Sequence, residues 1–287
     1  MTRRTFGSFF APLACQGVSS ASSLTVSTVN VNGVRAAAKK GMLAWLHSSA
    51  ADVVCLQETR ADDEQLAKAL APVLDEGWHL SAASSAVKGR NGVAVLTRTA
   101  PAAVRVGFGD DEFSEAGRYI EVDIEYSGGP LTVASLYLPS GDVGTPRQDE
   151  KDRFLKSFGD YLGSIANRPQ IICGDFNIAH TEADIKNWRG NLKSSGFLPH
   201  EREWLNGLIG DGQAWADVIR VLNPGAEGPY TWWSYRGKAF DNDAGWRIDY
   251  HITSRVLAGR ASGARVERAP TYDARWSDHA PVTVRYA

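Results

Sequence analysis

Short apolar runs with strand periodicity alternate with longer amphipathic stretches from residue 24 onward. Residues 53–56 are apolar on both faces and predict a buried strand, whereas residues 147–165 carry apolar side chains at helical spacing. Helices are also predicted over residues 34–47 and 214–221, and an aromatic-rich strand over residues 230–235. Residues 119–126 alternate strictly, which predicts a half-exposed strand with Glu121, Asp123 and Glu125 on its exposed face. A Ser-Gly-Gly-Pro turn joins it to the apolar run 131–138, which predicts an antiparallel hairpin. We therefore predict an α/β fold in which two mixed β-sheets pack face to face with helices outside, a four-layer α/β sandwich.

The composition limits the class of protein. Of the 287 residues, 43% are hydrophobic and 22% are charged, which is typical of a globular chain and excludes a disordered or fibrous one. No apolar run approaches the length of about eighteen residues that a membrane-spanning helix needs. The three cysteines, Cys15, Cys55 and Cys173, form no paired motif, and the last two lie within apolar runs. We therefore expect no disulfide framework and a reducing, cytoplasmic location.

The first 23 residues differ in character from the rest of the chain. A pair of arginines is followed by three phenylalanines, which loosely resembles an export signal, but glycine, serine and proline interrupt the apolar stretch. A Ser-rich run then precedes the first strand. We predict a flexible leader over residues 1–23 and one folded domain over residues 24–287, with an export signal as the less favoured alternative.

The charge is distributed unevenly along the chain. The formal net charge is only −2, which by itself gives no sign of a polyanion-binding protein. Residues 231–275, however, carry eight Lys or Arg against five Asp or Glu, a local excess of +3, while residues 1–230 carry 22 against 27, or −5. If the protein binds a polyanion, the electrostatic field favours its carboxyl-terminal part.

Polar side chains collect where the apolar runs end. They are Asn30 and Asn32, Glu58, Tyr137, Asp175 and Asn177, Asp249, and Asp278 with His279. Each has an ordinary explanation, because Asp and Asn at strand ends often form turns with their own backbone. Together they supply carboxylate and amide oxygens, which suit Mg²⁺ and do not suit Zn²⁺. Such a metal site with a His, an Asn and a Tyr would suit the attack of water on a phosphodiester.

Six of these segments form a recognisable series. They are Asn-Val-Asn-Gly-Val-Arg at 30–35, Leu-Gln-Glu-Thr at 56–59, Tyr-Leu-Pro at 137–139, Gly-Asp-Phe-Asn-Ile-Ala-His at 174–180, Gly-Trp-Arg-Ile-Asp-Tyr at 245–250 and Ser-Asp-His at 277–279. The series resembles the exonuclease III family of apurinic/apyrimidinic endonucleases, within the endonuclease/exonuclease/phosphatase superfamily. The resemblance covers about residues 24–287 and implies that they form the catalytic domain. Segments 184–187 and 195–202 extend it, and lipid or sugar phosphatases of the superfamily are not expected to carry them.

The resemblance implies a metal site. Mg²⁺, with Mn²⁺ as a substitute, would be held by residues at the ends of three segments: Asn30, Asn32, Glu58 and Asp278. Glu58 would be the main ligand. Many relatives have Asp at the position of Asn32, so the metal site here would carry one negative charge fewer.

The resemblance also implies a catalytic group. Its members would be Tyr137, Asp175, Asn177, Asp249 and His279. Asp175 would orient and deprotonate the attacking water, and Asn177 would stabilise the charge that develops on the phosphate. His279, held by Asp249, would donate to the scissile phosphate. Tyr137 would contact the phosphate or stabilise the leaving oxygen.

Recognition of DNA is implied for a set of aromatic and basic residues in the carboxyl-terminal part and one earlier loop. The set is Arg90, Trp232, Arg236, Lys238, Trp246 and Arg247. Trp232 and Trp246 would form the walls of a pocket that accepts a flipped-out deoxyribose without a base, although aromatic residues of this kind also pack in cores. Arg90 and Arg236 would lie in loops on either side of the lesion, with the loop of Arg90 in the minor groove.

The expected activity is that of a Mg²⁺-dependent DNA-repair phosphodiesterase. It would cleave the backbone 5′ to abasic sites, with 3′-to-5′ exonuclease and 3′-end-trimming activity. The expected partner is double-stranded DNA with abasic sites or blocked 3′ ends, bound by a monomer in the cytoplasm, in association with the nucleoid and with no membrane. One alternative is a superfamily phosphomonoesterase or phospholipase that acts on a small or lipid phosphate. Another is a catalytically silent DNA-binding relative, which would lack one of the motif residues, and none is missing.

Overall fold

The computed structural model describes residues 23–126 and 129–287, so the predicted leader lies outside the described residues except for Ser23. The described strands are β1 (Leu24–Asn30), β2 (Val53–Gln57), β3 (His79–Ala83), β4 (Val93–Thr97), β5 (Ala103–Val106), β6 (Tyr119–Tyr126), β7 (Gly129–Tyr137), β8 (Gln170–Asp175), β9 (Trp215–Asp217), β10 (Asp249–Ser254), β11 (Ala261–Val266) and β12 (Val282–Tyr286). The helices are α1 (Val34–Ala37), α2 (Leu43–Ser48), α3 (Asp63–Leu74), α4 (Pro146–Ile165), α5 (Pro199–Ile209), α6 (Val218–Leu222) and α7 (Arg255–Ala258). A π-helical turn, Ala38–Met42, joins α1 to α2, and two 3₁₀ turns cover Glu182–Asp184 and Trp188–Asn191.

These strands form two six-stranded sheets that share one pattern of parallel and antiparallel pairing. The first has the order β11-β12-β1-β2-β4-β3 and the second β5-β6-β7-β8-β10-β9. The two central strands of each sheet are parallel, β1 with β2 and β7 with β8, while the outer neighbours pair antiparallel. Because parallel strands end at the same edge, each sheet presents two carboxyl ends together. This arrangement confirms the predicted pair of mixed sheets.

Three apolar cores separate four layers. The core between the sheets contains Val26 and Val53 of the first sheet together with Val133 and Ile171 of the second. A second core lies outside the second sheet, where Phe154 and Phe158 of α4 pack beside Leu136 and Ile172. The third lies outside the first sheet and joins Leu66 and Leu70 of α3 to Leu56 and Leu96. The helices thus cover the outer faces of both sheets, as predicted.

Local sequence explains where the two longest helices begin. Asp62 precedes α3, and its carboxylate accepts a hydrogen bond from Gln65 N at 2.8 Å, which satisfies a free donor of the first turn. Thr145 plays the same role before α4, whose first residue is Pro146. Among the described residues, no helix combines the length and the apolar character needed to cross a membrane.

The structure differs from the sequence-based expectations at several elements. The helix predicted at 34–47 is interrupted because Gly41 has φ of 128°, and residues 215–217 form β9 where a helix was expected. The aromatic run 230–235 makes isolated bridges to Trp246 and His279 and not a strand. In β6 the face predicted to be exposed includes Glu121, which is only 2% exposed because Arg105, Tyr119, Tyr161 and Gln170 surround its carboxylate.

Candidate active site

A cleft of about 640 Å³ opens where the carboxyl ends of the central strands of both sheets meet. The strand register places Tyr137 opposite Asp175 and Asp249 opposite Asp175, so three polar side chains converge at the edge of the second sheet. The first sheet contributes the ends of β1 and β2. The cleft is lined by nine of the predicted residues: Asn32, Glu58, Tyr137, Asp175, Asn177, Trp232, Trp246, Asp278 and His279.

Asn30 links the two sheets at the floor of the cleft. Its amide nitrogen donates to Glu58 Oε1 at 2.8 Å and to Asp175 Oδ2 at 2.9 Å, and its amide oxygen accepts from Asn32 N at 2.9 Å. A donor N–H, not an oxygen, therefore faces the carboxylates. In this arrangement Asn30 orients the two acids through its amide nitrogen, and its role as a metal ligand stays a prediction.

The other predicted metal ligands, Asn32, Glu58 and Asp278, all line the cleft. Asp278 accepts hydrogen bonds from Asn32 Nδ2 at 2.8 Å and from Trp232 Nε1 at 3.1 Å. Glu58 accepts from the Arg60 guanidinium, with Nε 2.9 Å from Oε2. Two carboxylates and an amide form a set of hard oxygen donors, which fits a divalent cation such as Mg²⁺. Arg60 was not predicted from the sequence, although its position two residues after Glu58 was an available signal.

A second acidic group lies deeper in the cleft. His279 Nδ1 is 2.8 Å from Asp249 Oδ2, and its Nε2 is 3.8 Å from Asp175 Oδ2. Candidate ligand atoms of these three residues lie within 4.8 Å of one another, so this group also could hold a metal. The predicted contact between His279 and Asp249 is thus present, and it leaves Nε2 facing Asp175 and the cleft.

Burial and charge shift the titration of this deeper group. Burial raises the pKa of Asp175 to about 7, although the nearby His279 opposes the shift. For His279, burial acts in the opposite direction, but attraction to Asp249 and the hydrogen bond between them raise its pKa to about 10. Around neutral pH the imidazole is therefore a cation, while Asp175 can accept a proton.

Asn177 and Tyr137 flank Asp175. Asn177 has φ of 50°, a left-handed conformation that Asn tolerates better than most residues. Its backbone N–H donates to Asp175 Oδ1 at 2.9 Å, and its side-chain amide donates to Leu138 O at 2.9 Å and to Asp175 Oδ2 at 3.2 Å. Burial, followed by the charges of Glu58 and Asp175, keeps the pKa of Tyr137 well above its ordinary value. The phenol therefore keeps its proton at neutral pH and can donate a hydrogen bond.

The predicted aromatic walls are both present. The rings of Trp232 and Trp246 lie edge to face with centroids 6.1 Å apart, and both side chains are partly exposed to the cleft. Trp233, by contrast, is 1% exposed and packs against Phe240 in a separate small core. The basic residues Arg90, Arg236 and Lys238 are exposed in loops, as DNA contacts would require.

Arg247 was predicted to contact DNA, and that prediction is wrong. Its side chain has no exposed surface and forms ion pairs with Asp184 at 2.7 Å and Asp217 at 2.6 Å. Asp184 also pairs with Arg220. These buried pairs attach the segment after Trp246 to the turn at 182–184, so Arg247 has a structural role behind the cleft wall.

A smaller concavity of about 300 Å³ adjoins the cleft beside Glu58. Arg90 lines it together with Arg118 and Arg147, two residues that the sequence analysis did not single out. Arg118 is 8% exposed and donates to Tyr137 O at 3.3 Å and to Glu150 Oε1 at 2.9 Å. No local sequence pattern marks these arginines, because Arg118, just before β6, and Arg147 of α4 reach the site from different segments.

Comparisons with known proteins agree with this geometry. Residues 27–279 match the model of the Endonuclease/Exonuclease/phosphatase family. The chain is 35% identical to an exodeoxyribonuclease of Bacillus subtilis (strain 168), over 88% of this chain and 95% of that protein. It is 33% identical to the DNA repair nuclease APEX1 of Danio rerio, over 92% of this chain and 82% of that protein.

Solved structures show the same fold. An AP endonuclease from Archaeoglobus fulgidus superposes with a TM-score of 0.80 at 25% identity, covering 92% of this chain and 99% of that one. The 3′ phosphatase NExo from Neisseria superposes with a TM-score of 0.79 at 26% identity over the same shares. The family model, the relatives and the fold therefore lead to one conclusion. This chain belongs to the endonuclease/exonuclease/phosphatase family, which confirms the resemblance seen in its motifs.

Proposed function

We propose that the protein is a Mg²⁺-dependent DNA-repair nuclease that cleaves the backbone 5′ to abasic sites and trims 3′ ends. The observation that carries the proposal is the row Asp249, His279 and Asp175 in a cleft with two indole walls. The row offers a cation and a proton acceptor side by side, which is what hydrolysis of a phosphodiester requires. The relatives named above, by their names, are nucleases.

The residues of the cleft divide the reaction among them. Asp175 orients a water molecule and accepts its proton as the water oxygen attacks phosphorus. His279, held as a cation by Asp249, donates to a non-bridging phosphate oxygen. The side-chain N–H of Asn177 that donates to Asp175 Oδ2 at 3.2 Å turns to donate to the same phosphate. The bond between phosphorus and the 3′ oxygen breaks, and Tyr137 donates a hydrogen bond to the leaving oxygen. That oxygen takes a proton from solvent water to become the 3′-hydroxyl, and Asp175 returns its proton to the solvent.

The metal site would complete this machinery. Glu58, Asp278 and Asn32 would hold Mg²⁺, which supplies positive charge that stabilises the phosphate in the transition state. With Asn32 in place of a third acid, the residues contribute two formal negative charges. Arg60 already neutralises part of the charge on Glu58 through its hydrogen bonds. We therefore expect cation binding at this site to be weak and strongly dependent on ionic conditions.

Substrate choice would depend on the cleft walls. Trp232 and Trp246 leave a space that a bare deoxyribose can enter, whereas a nucleotide would have to bring its base past both rings. A residue without a base also loses no stacking when it leaves the duplex. Arg90, Arg236 and Lys238 would contact the phosphate backbone of the DNA on either side of the abasic site. The protein would bind the duplex as a monomer.

A duplex with one abasic-site analogue tests the proposal. We expect cleavage immediately 5′ to the analogue with Mg²⁺, none with chelator, and a 3′-hydroxyl on the product. Asp175→Asn should abolish cleavage, while Asp211→Asn, which changes an exposed acid, should leave it intact. Cleavage that persists with chelator, or in Asp175→Asn, would refute the mechanism.

The second candidate is a phosphomonoesterase activity on 3′-phosphate ends. The similarity to a 3′ phosphatase from Neisseria favours it over a lipid or sugar phosphatase. A duplex with a recessed 3′-phosphate, assayed beside the abasic duplex, separates the two. Release of phosphate without any cleavage of the abasic duplex would identify the protein as a 3′-end phosphatase alone.

A further inference from the structure

A buried ion pair lies behind the cleft wall, outside the group of residues that the mechanism uses. Lys151 of α4 and Glu201 of α5 both have side chains with no exposed surface, and their Nζ and Oε1 atoms are 2.9 Å apart. Burial lowers the pKa of Lys151, although attraction to Glu201 opposes the shift. A buried pair of this kind loses solvation of both charges and often adds no net stability. Its presence therefore calls for another explanation.

The contacts of Lys151 supply one. Its ammonium donates to Asn177 O at 3.0 Å and also reaches Ser140 O and Ser195 Oγ, each at 3.4 Å. Ser195 Oγ in turn donates to Ser140 O at 2.8 Å. These contacts join the loop after β7, the loop after β8 and the segment before α5. Each of those three segments lines the cleft.

Glu201 holds the other side of the same junction. Its Oε2 accepts hydrogen bonds from Gly196 N at 2.7 Å and Leu198 N at 3.1 Å. Gly196 has φ of +88°, and a Cβ at this position would be 2.9 Å from Asn177 O and 3.1 Å from Trp246 Cζ3. The segment before α5 thus packs tightly between Asn177 and the indole wall, with the carboxylate holding it in place.

The contacts of Lys151 and of the segment before α5 converge on the backbone of Asn177. Its left-handed conformation is uncommon for a residue other than Gly and persists where the surroundings hold it. The backbone conformation of Asn177 sets the direction of its side chain, and the Lys151 ammonium fixes that backbone by donating a hydrogen bond to Asn177 O. A shift of about 1 Å in such a group can reduce turnover by about a hundredfold.

We propose that the Lys151–Glu201 pair is a positioning device that holds Asn177 in the orientation needed to contact the scissile phosphate. Neither residue touches the substrate, and the inference rests on the proposed function. It differs from a purely structural role in one respect. Loss of the pair should act on turnover through Asn177, beyond any effect on the folded fraction.

A double-mutant cycle measures this coupling. Because removal of Lys151 alone leaves a buried carboxylate without its cation, the pair is neutralised together as Lys151→Met/Glu201→Gln. We expect kcat to fall about tenfold or more with a change in KM of less than about threefold. In an Asn177→Ala background the same two substitutions should lower kcat by less than about twofold. Lys156→Met, on the exposed face of α4, is the matched control and should change neither constant.

Stability is followed separately, and activities are compared only at temperatures where thermal unfolding shows each variant to be folded. Glu201→Gln provides a second, milder variant, because it keeps an oxygen for Gly196 N while it weakens the hold on Lys151. Its smaller loss of kcat should also vanish in the Asn177→Ala background. Equal losses with and without the Asn177 side chain, for either variant, would overturn the inference.

The wild-type protein in the same assay keeps the two proposals apart. Failure of the wild type to cleave the abasic duplex refutes the proposed function. The cycle is then measured on the 3′-phosphate duplex, where Asn177 would face the same phosphate. Additive losses there would overturn the positioning role independently.

Discussion

Replacing Asp249 by Asn removes a negative charge from beside the His279 imidazole while it preserves the shape of the side chain. In the native protein this charge is the main reason that the pKa of His279 rises to about 10, against the effect of burial. Without it we expect the pKa to return to its ordinary value near 6.5 or below. The imidazole would then be neutral over most of the range in which Asp175 is ionised.

The size of the effect follows from the two pKa values. The active form needs Asp175 ionised and His279 protonated, and native pKa values of about 7 and about 10 allow both between these limits. With the His279 pKa at about 6.5, the protonated fraction is about one quarter at pH 7 and about one hundredth at pH 8.5. The variant should therefore lose about fourfold in kcat near neutral pH and about a hundredfold at pH 8.5.

The assay is the pH dependence of kcat on the abasic duplex at saturating Mg²⁺. The native profile should be bell-shaped, with limbs that belong to the coupled pair and not to either residue alone. Asp249→Asn should shift the alkaline limb to lower pH, and Asp241→Asn, at an exposed acid, should leave the profile unchanged. If Asp249→Asn loses the same factor at pH 6.5 and at pH 8.5, its carboxylate does not act through the charge of His279.

Three further variants test other parts of the structure. Glu58→Gln should weaken Mg²⁺ binding and reduce activity by about two orders of magnitude at ordinary Mg²⁺, with partial recovery at high Mg²⁺. Direct Mn²⁺ binding and a Mg²⁺ titration of kcat measure this, and a native affinity in the variant would place the metal elsewhere. Trp246→Ala should lower the ratio of abasic-site cleavage to digestion of an undamaged recessed 3′ end, and an unchanged ratio would make the indole a packing residue. Burial lowers the pKa of His251 to about 4, so between pH 6.5 and pH 4 only the unfolded state takes up this proton. The free energy of unfolding should therefore fall as the pH falls through this range, by about 3 kcal/mol in all. Urea unfolding of His251→Gln should lack this part of the pH dependence; identical slopes for both proteins would contradict the assignment.

Local pattern in the sequence was sufficient for much of the architecture. The alternation over β6 predicted the strand Tyr119–Tyr126 with its observed bounds, since side-chain periodicity is a property of the strand itself. The spacing of Asp175 and Asn177 likewise predicted two side chains at one strand end. Both inferences needed only neighbours within a few residues.

Contacts between distant segments lie beyond such patterns. A strand at 230–235 was expected from its aromatic residues, but the backbone there pairs only with single residues such as Trp246 and forms part of the cleft wall. The amide of Asn30 looked like an oxygen donor, and its orientation was set by Glu58 and Asp175, 28 and 145 residues away.

Arg247 shows the physical reason most clearly. In the sequence it is a basic residue directly after Trp246, in a segment rich in aromatic and basic residues, the usual appearance of a nucleic-acid contact. In the fold it meets Asp184, 63 residues earlier, and Asp217, and the three charges are buried together. A charge can leave water only where opposite charges meet it, and whether they do depends on how the chain folds back on itself. The sequence alone determined the central strands of both sheets and the chemical types at their ends, and the tertiary structure decided which of those charges face the cleft.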